Sequence, residues 1–227
     1  ERIEREVGIA AFDFSLIHPG VPTDGPIAAA KAWQLVQAEL PVETDVPIIT
    51  YFGRQDSEKG IDLLLYAARI LRERGHKIQI VICGPETFGN YRRVCEDIAG
   101  HLEIPALFTG FVSSEVRQAV MQCSRCVVYP SIHGEPFGMV PVEAMAVGTP
   151  AVVPDDGGVA ELVKRGSIRG GLNFRSWDSG DLADQLEKLL TDETLHAELA
   201  ANAPEVASHY SISKEVDRML EHLGITH

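Results

Sequence analysis

Glu135 and Glu143 stand eight positions apart within YPSIHGEPFGMVPVEAMAVGTPAVVPDDGG, the segment from Tyr129 to Gly158. Two carboxylates sharing one crevice would suit paired acid and base work. A second group with chemical capacity is Gly53-Arg54-Gln55-Asp56-Ser57-Glu58-Lys59-Gly60. Arg54 offers a planar fork that fits phosphate oxygens, and Lys59 a compact charge next to a helix start. The flanking glycines let a bulky ligand approach the backbone. The spacing is neither the G-x-x-x-x-G-K-[ST] loop nor the G-x-G-x-x-G fingerprint. Taken alone, the two cations read as solvated loop charges; on one sheet edge with the two glutamates, they become an anion site.

The surrounding elements decide whether that edge is shared. Apolar runs bounded by glycine or proline mark strands at Pro47–Phe52, Lys77–Cys83, Ala106–Thr109, Cys126–Tyr129, Ala151–Pro154 and Leu172–Phe174. Helical spacing joins Ile61, Leu64, Leu65, Ala68 and Leu71, closed by Gly75, and Tyr91–Ala99 continues as helix. Ser113 caps a further helix, and Met139–Val147 makes another that Gly148 ends. Strands alternating with helices of this length predict an α/β fold with a doubly wound parallel sheet and a helical C-terminal tail. The Arg54 and Glu135 loops then leave strands at the carboxyl edge, where such sheets bind ligands. In the tail, Leu182, Leu186 and Leu189 form one stripe, Ala203-Pro204 and His209-Tyr210-Ser211 punctuate the helices, and a last helix spans Ser213–Leu223. At the amino end, Phe14–Ile17 reads as a short strand before His18-Pro19-Gly20-Val21-Pro22 breaks the chain.

A net charge of −13 argues against nucleic acid or anionic membrane as a partner, so an anionic ligand needs a local cationic site such as Arg54 and Lys59. No apolar run approaches the roughly 20 residues that span a bilayer, and no secretory leader opens the chain, so a cytoplasmic location is expected. Cys123 and Cys126 form one CxxC, without the second pair or histidine cluster of a zinc site, and with Cys83 and Cys95 they read as ordinary thiols. His133 reads as a loop histidine rather than a base.

GRQDSEKG together with PSIHGEPFGMVPVEAMAVGTPAVVPDDGGVAELV resembles the donor-binding half of a retaining GT-B glycosyltransferase of the group 1, family 4 type, whose hallmark is E-x7-E, here Glu135 to Glu143. His18-Pro19-Gly20-Val21 is similar to that family's interdomain linker, although Thr23 departs from its usual acidic position. The resemblance implies a Rossmann-like fold and a nucleotide diphosphate sugar as donor, with UDP-sugar favoured. Arg54 and Lys59 would hold the diphosphate, assisted by Gly138 and the amides of Met139 and Val140 at a helix start. Glu143 would accept hydrogen bonds from the ribose diol. Glu135, with the Phe137 and Gly138 backbone, would hold the donor sugar and stand beside the reacting centre. Val112 and Arg117 would contact the base, with Gly84 and Pro85 bordering the pocket.

Asp155-Asp156 lack the D-x-D spacing of metal-dependent transferases, so neither metal nor cofactor is expected. By the same resemblance, residues 1–22 would be a linker remnant, 23–205 the nucleotide-sugar-binding domain and 206–227 a crossover helix. An absent N-terminal domain, on the order of 150–200 residues, would carry the acceptor site. The chain would then bind donor yet transfer little alone, and the exposed face of its last helix would pair with a second copy. A nucleotide-sugar-binding module without transfer activity, and a GT-B epimerase, remain as alternatives.

Overall fold

The computed structural model describes residues 16–87 and 89–225. Six parallel strands form its centre: β1 (Ile48–Phe52), β2 (Gln79–Cys83), β3 (Ala106–Gly110), β4 (Cys126–Val128), β5 (Ala151–Pro154) and, after the two-residue strands β6 (Lys164–Arg165) and β7 (Ile168–Arg169), β8 (Gly171–Phe174). Their order is β3-β2-β1-β4-β5-β8. The chain builds outward from β1 in one direction, then returns to build outward from β4 in the other. Between β1 and β4 lies the switch point at which open α/β sheets leave a ligand crevice.

Helices α1 (Ala29–Glu39), α2 (Ile61–Glu73), α3 (Tyr91–His101), α4 (Ser114–Cys123), α5 (Met139–Ala146), α6 (Ser179–Thr191), α7 (Glu193–Ser208) and α8 (Ile212–His222) surround the sheet. All five residues of β1 are buried, as expected of a strand covered on both faces. Ile49 and Tyr51 pack with Leu64, Leu65, Leu71 and Leu186 on one side, while Ile48 and Phe52 pack with Val36, Val116 and Val120 on the other. The Ser113 hydroxyl accepts from the Val116 amide and starts α4 as expected.

Four features differ from the sequence reading. Helix α1 has no strand-like or strongly amphipathic signature; it buries only Ala32 and Val36, against α4. The β6–β7 hairpin is too short to leave a periodic trace. Helix α7 runs on through Pro204, because Ala203, Val206 and Ala207 are buried while Pro204 faces solvent, where a freed carbonyl finds water. Of the expected strand at Phe14–Ile17, Leu16 and Ile17 lie in irregular chain and the rest falls outside the described residues.

Val21 pairs with the start of α8: its amide donates to Tyr210 at 2.9 Å, and Ile212 donates back to it at 3.3 Å. The His18 amide donates to Glu215 at 3.1 Å, and Glu215, the one buried residue of α8, also pairs with Arg218. Ile212, Val216 and Met219 form an exposed stripe on the same helix, continued by Leu223 just past its end. Among the described residues, no helix is long and apolar enough to cross a membrane.

Burial pushes the thiols up, Cys126 to about 12 and Cys123 to about 11, the reverse of what a redox pair requires. Iodoacetamide at pH 8 is therefore expected to leave Cys126 unmodified in the native chain. Fast labelling of Cys126, read by mass spectrometry, would contradict that burial.

Candidate functional site

The loops after β1 and β4 leave neighbouring strands, and backbone packing ties them together. The Ile132 amide donates to the Glu58 carbonyl at 3.0 Å. Gly60 adopts φ +64°, and a Cβ there would stand 2.2 Å from the Pro130 carbonyl oxygen, so only glycine fits on both counts. On its other side the Glu135 loop rests on Gly157 and Gly158. The Val159 amide donates to the Glu135 carbonyl at 3.2 Å, and a Cβ on Gly158 would come within 2.0 Å of the Pro136 carbonyl oxygen.

This packing brings Lys59 and Glu135 into an ion pair whose side chains are 13% and 14% exposed. Ser131 Oγ lies 3.0 Å from Glu135 Oε1, and the Lys59 ammonium stands 5.9 Å from the centre of the Tyr129 ring. Burial, and after it the Glu135 charge, holds the Tyr129 phenol well above its ordinary range, so it stays neutral beside the carboxylate. Burial does the same for Tyr51, whose hydroxyl donates to the Arg54 carbonyl at 2.6 Å and so fixes the turn from which Arg54 projects. The Arg54 guanidinium is more than half exposed and lies 3.4 Å from Asp56.

Glu143 projects from the second turn of α5. Arg117, from α4, meets it with two parallel hydrogen bonds, Nη1 to Oε1 at 2.8 Å and Nη2 to Oε2. The same guanidinium lies 5.7 Å from the centre of the Phe52 ring. Two cavities meet at Arg117. One, of about 270 Å³, is lined by Phe52, Arg54, Gly84, Pro85, Phe111, Val112, Arg117 and Val140. The other, of about 370 Å³, is lined by Pro22, Asp24, Ser114, Arg117, Gln118, Met121 and Glu143. The first is largely apolar and of a size for a planar ring, with Arg54 at its margin. No side chain caps the start of α5, so the amides of Met139 and Val140 have no partner within the helix. Gly138 is buried beneath Val159, where a Cβ would come within 3.0 Å of Cγ2.

The structure thus gathers Arg54, Lys59, Gly84, Val112, Arg117, Glu135, Gly138, Met139, Val140 and Glu143 around one edge of the sheet. The Phe137 ring packs into an aromatic cluster with His18 and Tyr210 at centroid distances of 5.6 and 5.7 Å. His133 is exposed, and Asp155 accepts from the Ser176 amide at 2.9 Å as a structural contact. Among the described residues no group of three His, Cys, Asp or Glu could hold a metal ion. Sequence reading missed the partners Ser131, Asp56 and Gly157-Gly158. Only the tandem glycine, after an apolar strand, carries a local signal of close backbone approach.

The family described as glycosyl transferases group 1 matches this chain over residues 35–206. The chain is 34% identical over 178 residues to the alpha-D-kanosaminyltransferase of Streptomyces kanamyceticus, covering 77% of this chain and 45% of that protein. It is 35% identical over 192 residues to the D-inositol 3-phosphate glycosyltransferase of Rhodococcus erythropolis, covering 82% and 42%. It therefore spans less than half the length of these relatives. Among solved structures, sucrose-phosphate synthase from Thermosynechococcus elongatus superposes with a TM-score of 0.82 at 26% identity, over 98% of this chain and 55% of that one. The C-terminal domain of the group 1 protein LpcC from Francisella tularensis superposes with a TM-score of 0.72 at 24% identity, over 85% of this chain and 100% of that one. With the fold shared along nearly its whole length and the family match covering most of it, the chain belongs to the group 1 glycosyltransferases, as the Rossmann-like, C-terminal half of a GT-B fold.

Proposed function

We propose that the chain is the donor-binding half of a retaining hexosyltransferase that takes a nucleotide diphosphate sugar and delivers the sugar to an acceptor hydroxyl in polysaccharide or glycoconjugate synthesis. The observation that carries this reading is the alternation of cations and carboxylates around the switch point: Arg54, then the Lys59–Glu135 pair, then the Arg117–Glu143 pair. In this reading Arg54 and Lys59 take the diphosphate, together with the free amides that open α5. As the glycosidic bond breaks, negative charge builds on that leaving group, and these fixed positive groups stabilise it where it develops. Glu135 holds sugar hydroxyls beside the reacting carbon, and Glu143 takes the ribose diol. The base lies in the apolar cavity between Pro85 and Val112, read largely by backbone.

The acceptor site belongs to a further domain, in keeping with the fraction of its relatives that the chain spans. UDP is the first nucleotide to test, since an Anabaena HepE structure of the same fold, TM-score 0.81 at 24% identity over 93% of this chain and 57% of that one, is a UDP complex. The test is calorimetric titration of the chain with UDP, GDP and ADP and their glucose or mannose conjugates. Saturable binding of one of these nucleotides is the expected result. Failure of all of them at millimolar concentration would sink the reading.

A further inference from the structure

The Glu143 carboxylate has one fork, the side on which both oxygens face a single partner, and Arg117 occupies it with two parallel bonds. A ribose cis-diol that donates to both oxygens needs that same fork, since O2′ and O3′ are spaced much as the two guanidinium nitrogens are. Both cannot sit there together. The cavities say the same thing in another way: Glu143 borders the 370 Å³ cavity and not the 270 Å³ one that holds Arg54 and Val112, and Arg117 lines both. Its guanidinium stands between the carboxylate and the pocket suited to a base. In the same pose it lies 5.7 Å from the centre of the Phe52 ring, a second contact that does not involve Glu143.

We propose that Arg117 competes with the ribose for Glu143 and moves aside on binding, so that this arginine sets how strongly the cis-diol of a nucleotide is read. The inference rests on the proposed nucleotide-sugar function. It makes Arg117 a specificity-determining residue rather than only a contact to the base. Part of what Glu143 gains from the diol is offset by the ion pair it gives up, and discrimination against deoxyribose is blunted in proportion. An arginine about one third exposed, paired at this distance, is held strongly enough to matter and weakly enough to be displaced.

The test measures the affinity of the 227-residue chain for UDP and for 2′,3′-dideoxy-UDP. The ratio of the two isolates the diol from base and phosphate. Arg117→Met is expected to raise that ratio roughly five-fold over the unmodified chain, as expected for release of a partly exposed ion pair, and Glu143→Gln to bring it near one. A ratio left unchanged or lowered by Arg117→Met, while Glu143→Gln still abolishes it, would overturn the competition and leave the ribose role of Glu143 standing. A ratio near one in all three chains, with UDP bound, would overturn both. If neither nucleotide binds the unmodified chain, the functional reading falls and takes this inference with it. A crystal structure of the unmodified chain with UDP gives an answer that needs no variant. The guanidinium is expected to have left Glu143, with O2′ and O3′ in its place; an intact Arg117–Glu143 pair beside a bound ribose would overturn the proposal.

Discussion

Replacing Lys59 with methionine is expected to weaken UDP binding about thirty-fold and to destabilise the fold by about 2 kcal/mol, the range of a hydrogen bond to a charged group. The two effects have different origins, and a second substitution separates them. Lys59 and Glu135 are both largely withdrawn from water, so removing the cation strands a carboxylate left with only the neutral Ser131 and Tyr129 hydroxyls beside it. Adding Glu135→Gln removes the stranded charge and is expected to restore most of the lost melting temperature. It does nothing for the phosphate oxygens, so UDP affinity stays low in the double variant. If Lys59→Met binds UDP as tightly as the unmodified chain, Lys59 belongs to the scaffold alone and the diphosphate lies elsewhere.

Gly60→Ala carries the largest expected effect on stability. Residue 60 sits in the left-handed region, which costs a residue with a side chain about 1–2 kcal/mol. Its Cβ would also drive into the Pro130 carbonyl, a backbone atom that cannot turn aside. The sum is expected to reach about 3 kcal/mol, or a fall of about 6–12 °C in Tm for a chain of this size. Because this contact joins the Lys59 loop to the Glu135 loop, UDP affinity is expected to fall even at temperatures where the variant is fully folded. Gly75→Ala is the control, since Gly75 also has positive φ but nothing within 4 Å of its added Cβ. A Gly60→Ala chain that melts with the Gly75→Ala chain would show that the loops do not depend on this approach.

Most of the sheet was legible because its strands are buried on both faces and so read as unbroken apolar runs, as in Ile48–Phe52 and Gln79–Cys83. The two site loops were legible from the same logic, since each follows such a run and precedes a helix. Their mutual pairing was not. Lys59 and Glu135 are 76 positions apart, and Arg117 and Glu143 are 26 apart on different helices, so no local pattern announces either bond. Arg117 was placed near the base by resemblance alone, and its paired hydrogen bonds to the Glu143 carboxylate had no signal in the sequence. Helix α1 escaped notice because alanine-rich sequence with an uncapped start gives neither a stripe nor a boundary. Pro204 misled in the other direction: the helix runs through it, held by the buried Ala203, Val206 and Ala207 around it.

The pairing of Arg54, Lys59 and Arg117 with Asp56, Glu135 and Glu143 has a kinetic consequence. Each positive group in the crevice faces an acid of its own, and the chain as a whole carries −13. In the proposed reading, a nucleoside diphosphate arriving from solution would meet no long-range pull toward the site and a weak push away from the protein. Capture would then depend on chance collision rather than steering, and recognition would begin only at contact, as the phosphates displace a carboxylate from its cation. The same arrangement would keep simple anions from lingering there, since none of them brings the hydroxyl groups that would satisfy the carboxylates so released.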